Sequence, residues 1–136
     1  MKILIDTNVI IDFALTRQPF AQDAENILLL CKDKKSDGFM AAHSVVNFFY
    51  ILRKQMSFEE RKEFLKSVSE FIEIIGIDKY KIQNALNDKF FIDFEDCLQA
   101  ECALSCGADY IVTRNIKDFV NSSVPAILPE DFLKLI

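Results

Sequence analysis

Short apolar runs alternate along the chain with longer segments in which apolar residues recur at helical spacing. Residues 2–5 and 110–113 are apolar runs of strand length, whereas residues 21–34 and 44–56 carry their apolar side chains with the period of a helix. Strands that are apolar throughout are typical of a parallel sheet covered by helices on both faces. The pattern therefore predicts an α/β protein with three layers, α/β/α, around a central, mainly parallel sheet.

The limits of the elements follow from this pattern and from local signals. Ser57 and Glu60 form a capping box that begins a helix, and Gly107 is suited to end one. Thr7 or Asn8 is expected to cap a short first helix. The predicted strands cover 2–5, 39–42, 71–77, 110–113 and 124–128. The predicted helices cover 9–15, 21–34, 44–56, 57–70, 78–87, 91–106 and a segment from 129, with a helical turn at 116–119.

The size of the chain fits one domain, residues 1–136, with a single core. Hydrophobic residues make up 51% of the chain, yet no apolar run approaches the roughly 20 residues that a membrane-spanning helix needs. Met1 leads directly into the first predicted strand without the organisation of a signal peptide. We therefore expect a cytoplasmic protein that has no association with a membrane.

The cysteines and the single histidine indicate no chemistry of their own. The four cysteines lack the spacing of a zinc site, so we interpret them as buried free thiols. His43 comes just before a helical pattern, which indicates a capping or surface position. A function for this chain must therefore rest on other side chains.

Acidic residues lie where the predicted strands end and where a helix begins. Asp6 follows the first strand, Asp118 comes shortly after the strand at 110–113, and Asp93 and Asp96 share one face of a helix. Ligands of parallel sheets gather at the carboxyl ends of the strands, so these carboxylates are expected to converge there. Carboxylates at close range repel one another, and a divalent cation with a preference for oxygen ligands, Mg²⁺ or Mn²⁺, neutralises them best.

Three separated segments carry a family resemblance: Asp6-Thr-Asn8, Asp93-Phe-Glu-Asp96 and the stretch from Thr113 to Phe119. In this order and at this spacing they resemble the PIN domain, the nuclease fold of VapC-type toxins. The similarity includes residues 50–54 and extends over about residues 1–132. It implies a PIN-like three-layer fold and the activity of a metal-dependent ribonuclease.

The resemblance also implies roles for individual residues. The residues that match the metal-binding and catalytic acids of the family are Asp6, Asp96 and Asp118. The supporting polar residues are Asn8, Asn47, Thr113 and Asn115. Of these, Thr113 is expected to orient a carboxylate by a hydrogen bond. The basic residues expected to bind substrate phosphates are Arg114 and Lys117.

One position departs from the family pattern. The family often has an acid about where Asn47 stands, and an amide oxygen can bind a hard cation but carries no charge. We expect Asp93 to supply the missing charge as a further metal ligand, although it is equally suited to cap its helix. The alternative roles of Asp6 and Asp118 are helix cap and turn residue, and Asp12 is interpreted as a solvated or capping residue.

The resemblance and the acidic residues together predict a magnesium-dependent endoribonuclease that hydrolyses RNA phosphodiester bonds, as the toxin of a toxin–antitoxin pair. The implied partners are RNA, an antitoxin protein and a second copy of the chain in a homodimer. The alternative is a non-catalytic RNA-binding or regulatory PIN domain whose acidic site is weakened by Asn47. A net charge of −5 argues only against loose binding of nucleic acid through a general positive field. A haloacid-dehalogenase-like phosphatase is disfavoured because it needs an acid at position 8, which is Asn.

Overall fold

A computed structural model of the chain describes residues 1–136. Its strands are β1 (Lys2–Ile5), β2 (Asp37–Ala41), β3 (Ile72–Ile75), β4 (Tyr110–Val112) and β5 (Ala126–Ile127). They form one five-stranded sheet in the order β3-β2-β1-β4-β5, and every neighbouring pair is parallel. The prediction of an α/β fold with a mainly parallel central sheet is therefore confirmed.

Helices cover both faces of this sheet. They are α1 (Thr7–Ala14), α2 (Ala21–Lys32), α3 (Ala42–Ile51), α4 (Phe58–Ser69), α5 (Lys79–Asn87), α6 (Phe94–Ser105) and α7 (Pro129–Leu133), with a 3-10 helix at Ile116–Phe119. Alternate side chains of a strand point to opposite faces. Accordingly Ile3 and Ile5 pack with α1–α4 and α7, whereas Leu4 packs with α6 and the 3-10 helix. No helix of the structure has the length and apolar character that crossing a membrane requires.

Small side chains bring α6 close to the sheet. Ala100 and Ala103 are buried, and they pack against Leu4 of β1 and Ile111 of β4. Because the contact is made without bulky side chains, the first turn of α6 can lie near the carboxyl ends of these strands.

Several helix limits differ from the prediction, among them the start of α6, which lies at Phe94 and not at 91. α1 begins at Thr7, because Asp6 and not Thr7 or Asn8 is its cap. α3 ends at Ile51, short of the predicted 56, and the chain continues in turns up to Met56. Turns repeat apolar positions at nearly the spacing of a helix, so the periodicity alone did not mark this end.

The four cysteines are free thiols, and Cys31, Cys97 and Cys102 are buried as predicted, whereas Cys106 is half-buried. Burial raises the pKa of Cys31 to about 12 and that of Cys102 to about 11. These thiols therefore stay protonated near neutral pH, which makes them poor nucleophiles and poor metal ligands.

Candidate metal centre

Two adjacent strands bring the first candidate residues together. β1 pairs with β4, and just past the end of β1 the Asp6 N–H donates to the Val112 carbonyl at 3.0 Å. Asp6 and Thr113 therefore meet at the carboxyl edge of the sheet, where ligand sites of parallel sheets form. The Thr113 hydroxyl donates to Asp6 Oδ2 at 2.7 Å, so it orients a carboxylate in the way the sequence predicted.

Asp6 is held by four hydrogen bonds, two to each carboxylate oxygen. Oδ1 accepts from the Thr7 N–H at 2.7 Å and from Gln99 Nε2 at 2.7 Å. Oδ2 accepts from Asn8 Nδ2 at 3.0 Å, in addition to the Thr113 hydroxyl. The bond from Thr7 caps α1, so Asp6 is both the cap of a helix and the centre of a polar network.

The burial of Asp6 makes its charge costly. The residue is 7% exposed, and burial raises its pKa to about 6, with the charges of Glu95 and Asp118 acting in the same direction. The hydrogen bond from Thr113 opposes this rise. The carboxylate is therefore difficult to keep ionised near neutral pH unless a positive charge lies beside it.

Three further acids lie at the start of α6. Asp93, Glu95 and Asp96 each present one carboxylate oxygen, and these oxygens all lie within 4.8 Å of one another. Asp93 also caps α6, because its Oδ1 accepts from the Asp96 N–H at 2.9 Å. The helix thus begins with the tightest group of carboxylates in the protein.

The predicted acids interact electrostatically as one group. Burial raises the pKa of Asp96 to about 8, and the charges of Asp93, Glu95, Asp118 and Asp6 add to this rise. Asp6 and Asp118 lie outside the set of oxygens within 4.8 Å. Their charges nevertheless help to raise the pKa of Asp96.

Glu95 is a member of this group that sequence analysis did not single out. Asn47 Nδ2 donates to Glu95 Oε1 at 3.2 Å, and His43 Nε2 lies 3.3 Å from the same oxygen. The His43 side chain holds the pKa of Glu95 below its usual range. The prediction that His43 caps a helix or lies on the surface was wrong, since it is the second residue of α3 and 17% exposed. The spacing of Glu95 and Gln99, four residues apart on α6, was the one signal that pointed to a shared face.

The side chains present fit a hard divalent cation. Every candidate ligand atom is an oxygen, which is the ligand type that Mg²⁺ and Mn²⁺ prefer. Two amide oxygens beside Asp6, Gln99 Oε1 and Asn8 Oδ1, are buried and have no hydrogen-bond partner in the protein. Buried polar atoms without a partner are rare, and a cation or its water molecules would satisfy them. The acids whose oxygens lie nearest one another in this group are Asp93, Glu95 and Asp96.

The raised pKa values lead to a prediction about thermal stability. Asp6 and Asp96 bind protons more tightly in the folded protein than in the unfolded chain, whose aspartates titrate near pH 4. This contribution to stability is fully present below about pH 4 and is lost as the pH rises through about 6 for Asp6 and about 8 for Asp96. We expect the melting temperature of the metal-free protein to fall by several degrees between about pH 5 and about pH 8.

Saturating Mg²⁺ should reverse this fall, because it binds only the folded site. Asp96→Asn should flatten the upper part of the pH profile. Scanning calorimetry with and without Mg²⁺ measures both effects. A melting temperature that rises over this pH range, or that Mg²⁺ leaves unchanged at about pH 8, would contradict the prediction.

The remaining predicted residues come from the segment after β4. Asn115, Lys117 and Asp118 are exposed, and the Asn115 N–H donates to Thr113 Oγ1 at 3.0 Å. Thr113 thus accepts from its own segment while it donates to Asp6. Lys117 makes no ion pair within the chain and remains available to an anion outside it.

Arg114 makes its contacts away from the acidic group. Its Nε and Nη2 donate to the two carboxylate oxygens of Asp12 at 2.5 and 3.1 Å, and its guanidinium stacks 4.1 Å from the centre of the Phe20 ring. Asp12 is 1% exposed, so its interpretation as a solvated or capping residue was wrong. A buried carboxylate requires a partner, and Arg114 provides a bidentate one from the segment that follows β4.

The fold and the site together define an α/β protein with an acidic, metal-fitting centre at the carboxyl edge of a parallel sheet. The family model described as the PIN domain matches residues 2–117. The chain therefore belongs to the PIN domain family, and the resemblance noted in the sequence is confirmed. No curated protein matches the chain in sequence.

Solved structures share this fold at low sequence identity. VapBC2 from Rickettsia felis, bound to a DNA fragment from its promoter, has a TM-score of 0.70 at 19% identity, covering 94% of this chain and 98% of that one. A toxin–antitoxin complex from Klebsiella pneumoniae has a TM-score of 0.68 at 20% identity, covering 93% and 96%. VapC20 from Mycobacterium tuberculosis, described as a sarcin-ricin loop cleaving toxin, has a TM-score of 0.64 at 12% identity, covering 80% and 86%.

Proposed function

We propose that this PIN domain is a magnesium-dependent endoribonuclease that hydrolyses phosphodiester bonds in RNA. The observation that carries the proposal is the group of oxygens within 4.8 Å at the start of α6, joined to the buried Asp6 through Gln99. A site made only of oxygen ligands suits a hard cation and therefore phosphate chemistry. The site needs no nucleophilic side chain, which agrees with the protonated, buried cysteines.

Each part of the site has a defined task in this proposal. A bound magnesium ion supplies an activated water molecule and compensates negative charge on the phosphate. Asp6, Asp96 and Asp118 are the catalytic ligands, and Asp93 adds charge at the start of α6. Asn8 and Thr113 keep Asp6 in one rotamer, and Asn115 does the same for Thr113 through its N–H.

Substrate contacts are proposed for the segment after β4. Lys117 is exposed and unpaired, so it is suited to a phosphate of the RNA backbone. Arg114 is partly exposed, but two of its guanidinium nitrogens are engaged by Asp12. We propose that its remaining nitrogen, Nη1, makes at most one additional contact with RNA.

The proposed biological role is that of a toxin in a toxin–antitoxin pair. It is supported by the PIN family and by the fold shared with a protein described as a toxin–antitoxin complex. The partner would be an antitoxin protein that blocks the acidic site. Growth arrest on expression, relieved by the protein of an adjacent reading frame, would test this role.

The activity itself is tested by incubating the purified protein with single-stranded and hairpin RNA. We expect internal cleavage in Mg²⁺ or Mn²⁺, loss of cleavage with EDTA, and recovery when excess Mg²⁺ is added. RNA binding without cleavage in either metal would reject the nuclease and favour the non-catalytic PIN domain, for which Asn47 is the motivating residue.

We also propose a homodimer. α3 exposes Val46 and Tyr50, and α5 exposes Tyr80 and Leu86, each with about two thirds or more of its surface in solvent. Large apolar side chains on two helices are typical of an interface between copies, which needs at least about 1,000 Å² of buried surface. Light scattering should give twice the 15.7 kDa of the chain. A mass near 15.7 kDa at about tens of micromolar protein, with Tyr50→Asp giving the same value, would reject the dimer.

A further inference from the structure

The geometry points to Glu95 as a ligand of the metal centre, positioned by Asn47 and His43 of α3 and taking the part that sequence analysis assigned to Asp93. This inference rests on the proposed function, because it concerns the same cation. It goes further in naming which acid compensates for the uncharged side chain at position 47.

Asp93 and Glu95 differ in the hydrogen bonds that their carboxylates make within the protein. Asp93 is exposed, and its Oδ1 is already used to cap α6. Glu95 is partly buried and accepts no hydrogen bond from the helix backbone. A side chain without a capping task is free to turn its charge toward the cluster, which makes Glu95 the better placed of the two.

The contacts of Glu95 involve one carboxylate oxygen and leave the other free to bind a cation. Asn47 Nδ2 donates to Oε1 at 3.2 Å, whereas His43 Nε2 lies 3.3 Å from the same oxygen without forming a hydrogen bond. Oε2 accepts from neither of them. A donor that holds one carboxylate oxygen and so orients the other is the usual arrangement around a metal ligand.

A second observation at the same place points to a ligand. Gln99 lies one helical turn after Glu95, is 0% exposed, and donates through Nε2 to Asp6 Oδ1. Its other atom, Oε1, is buried and has no partner in the protein. A buried amide oxygen without a donor is destabilising unless a cation or an ordered water occupies the space beside it.

The charge around the site supports a cation. No lysine or arginine forms an ion pair with any acid of the cluster, and the one basic side chain in contact is His43. Elsewhere in the chain the buried Asp12 is paired with Arg114. The acids at the start of α6 therefore have no lysine or arginine partner, and a divalent ion held between Asp96 and Glu95 would balance their charge.

The test is Mn²⁺ binding, measured by electron paramagnetic resonance and calorimetry on the full chain without RNA. Glu95→Gln should weaken Mn²⁺ affinity at least about tenfold. Asp93→Asn, which keeps a capping side chain, should weaken it less. The matched control is Glu101→Gln, because Glu101 is on the same helix and its carboxylate accepts from Asn84 at 3.1 Å, outside the cluster. This control should leave the affinity unchanged.

An exchange variant separates a ligand from a structural residue. Asn47→Asp combined with Glu95→Gln keeps one carboxylate and one amide in contact but exchanges their positions. If the carboxylate binds the ion, the double variant should recover most of the affinity that Glu95→Gln loses. Thermal unfolding of each variant shows whether the fold is intact, and the double variant remains informative if Glu95→Gln alone unfolds.

The outcomes distinguish this inference from the proposed function. Suppose that the parent binds Mn²⁺ and that the affinity of Glu95→Gln is within about twofold of the parental value, or that Asp93→Asn loses as much affinity as Glu95→Gln. Either result would show that Glu95 is not the ligand, while the metal centre itself would still be supported. A double variant that folds but binds no better than Glu95→Gln also overturns the inference. If the parent binds no Mn²⁺ at all, the proposed function fails together with it.

Discussion

Asp6→Asn is expected to lower the rate of Mg²⁺-dependent RNA cleavage on the order of 10³-fold, which corresponds to about 4 kcal/mol of transition-state stabilisation. The substitution removes the one fully buried charge of the proposed metal site while keeping the size of the side chain. The asparagine can still accept the hydrogen bond from the Thr7 N–H that caps α1. Cleavage is measured as initial rate over a range of Mg²⁺ concentrations, so that weak metal binding is separated from loss of catalysis.

The fold should survive this substitution. The amide group introduced at position 6 would face Asn8 and Thr113, whose oxygens can accept from it, since Asn8 Oδ1 has no partner at present. The substitution loses hydrogen bonds to a charged group, which destabilises the fold. It also removes a carboxylate whose ionisation is costly in its buried position, and this gain offsets the loss. We expect a melting temperature within a few degrees of the parent.

The control is Asp78→Asn, because Asp78 caps α5 through the Lys81 N–H and the same change is then made at a helix cap outside the acidic group. Asp78→Asn should cleave at the parental rate. Full activity in Asp6→Asn, or an equal loss in Asp78→Asn, would refute the proposed catalytic site.

Arg114→Met is expected to destabilise the protein by about 3–5 kcal/mol, since it leaves the carboxylate of Asp12 buried without its bidentate partner. Arg17 lies 3.8 Å from Asp12 and is too exposed to replace Arg114. The double variant Asp12→Asn with Arg114→Met should recover part of the loss, because the buried charge is then removed. Equilibrium unfolding in urea gives the free energies.

Lys62→Met is the control for this experiment. It breaks an ion pair with Glu59 at 2.9 Å that is exposed to solvent, so the expected cost is below about 1 kcal/mol. Arg114→Met with parental stability and a raised KM for RNA would show that Arg114 contacts substrate and does not mainly hold Asp12.

The local features of this site could be predicted from the sequence. Asp6 and Thr113 follow apolar runs of strand length, and strands of that kind align their carboxyl ends in a parallel sheet. The capping box at Ser57 was likewise visible, and the structure has it. A helix cap depends on residues only three positions apart, so a short stretch of sequence is sufficient to detect it.

The hydrogen-bond partners of Asp6 and Asp12 could not be predicted from the sequence in this way. Gln99 reaches Asp6 across 93 residues of sequence, and Arg114 reaches Asp12 across 102. Nothing near Asp12 indicates that it is buried, because an acid one turn into a short helix is usually solvated. Asp12 is buried because α1 packs against β1, α2 and α3. Its counter-ion is Arg114, in the segment just past β4.

The sequence by itself determined the order of the elements, the parallel sheet and the edge at which Asp6 lies, because these depend on periodicity and local caps. Tertiary structure alone decided which additional side chains meet there. Successive residues of a helix point about 100° apart, so which side chain of the first turn of α6 faces the sheet depends on how α6 rotates against β1. Packing of Ala100 and Ala103 sets that rotation, and it brings Glu95 to Asn47 and His43 of a helix that is distant in sequence.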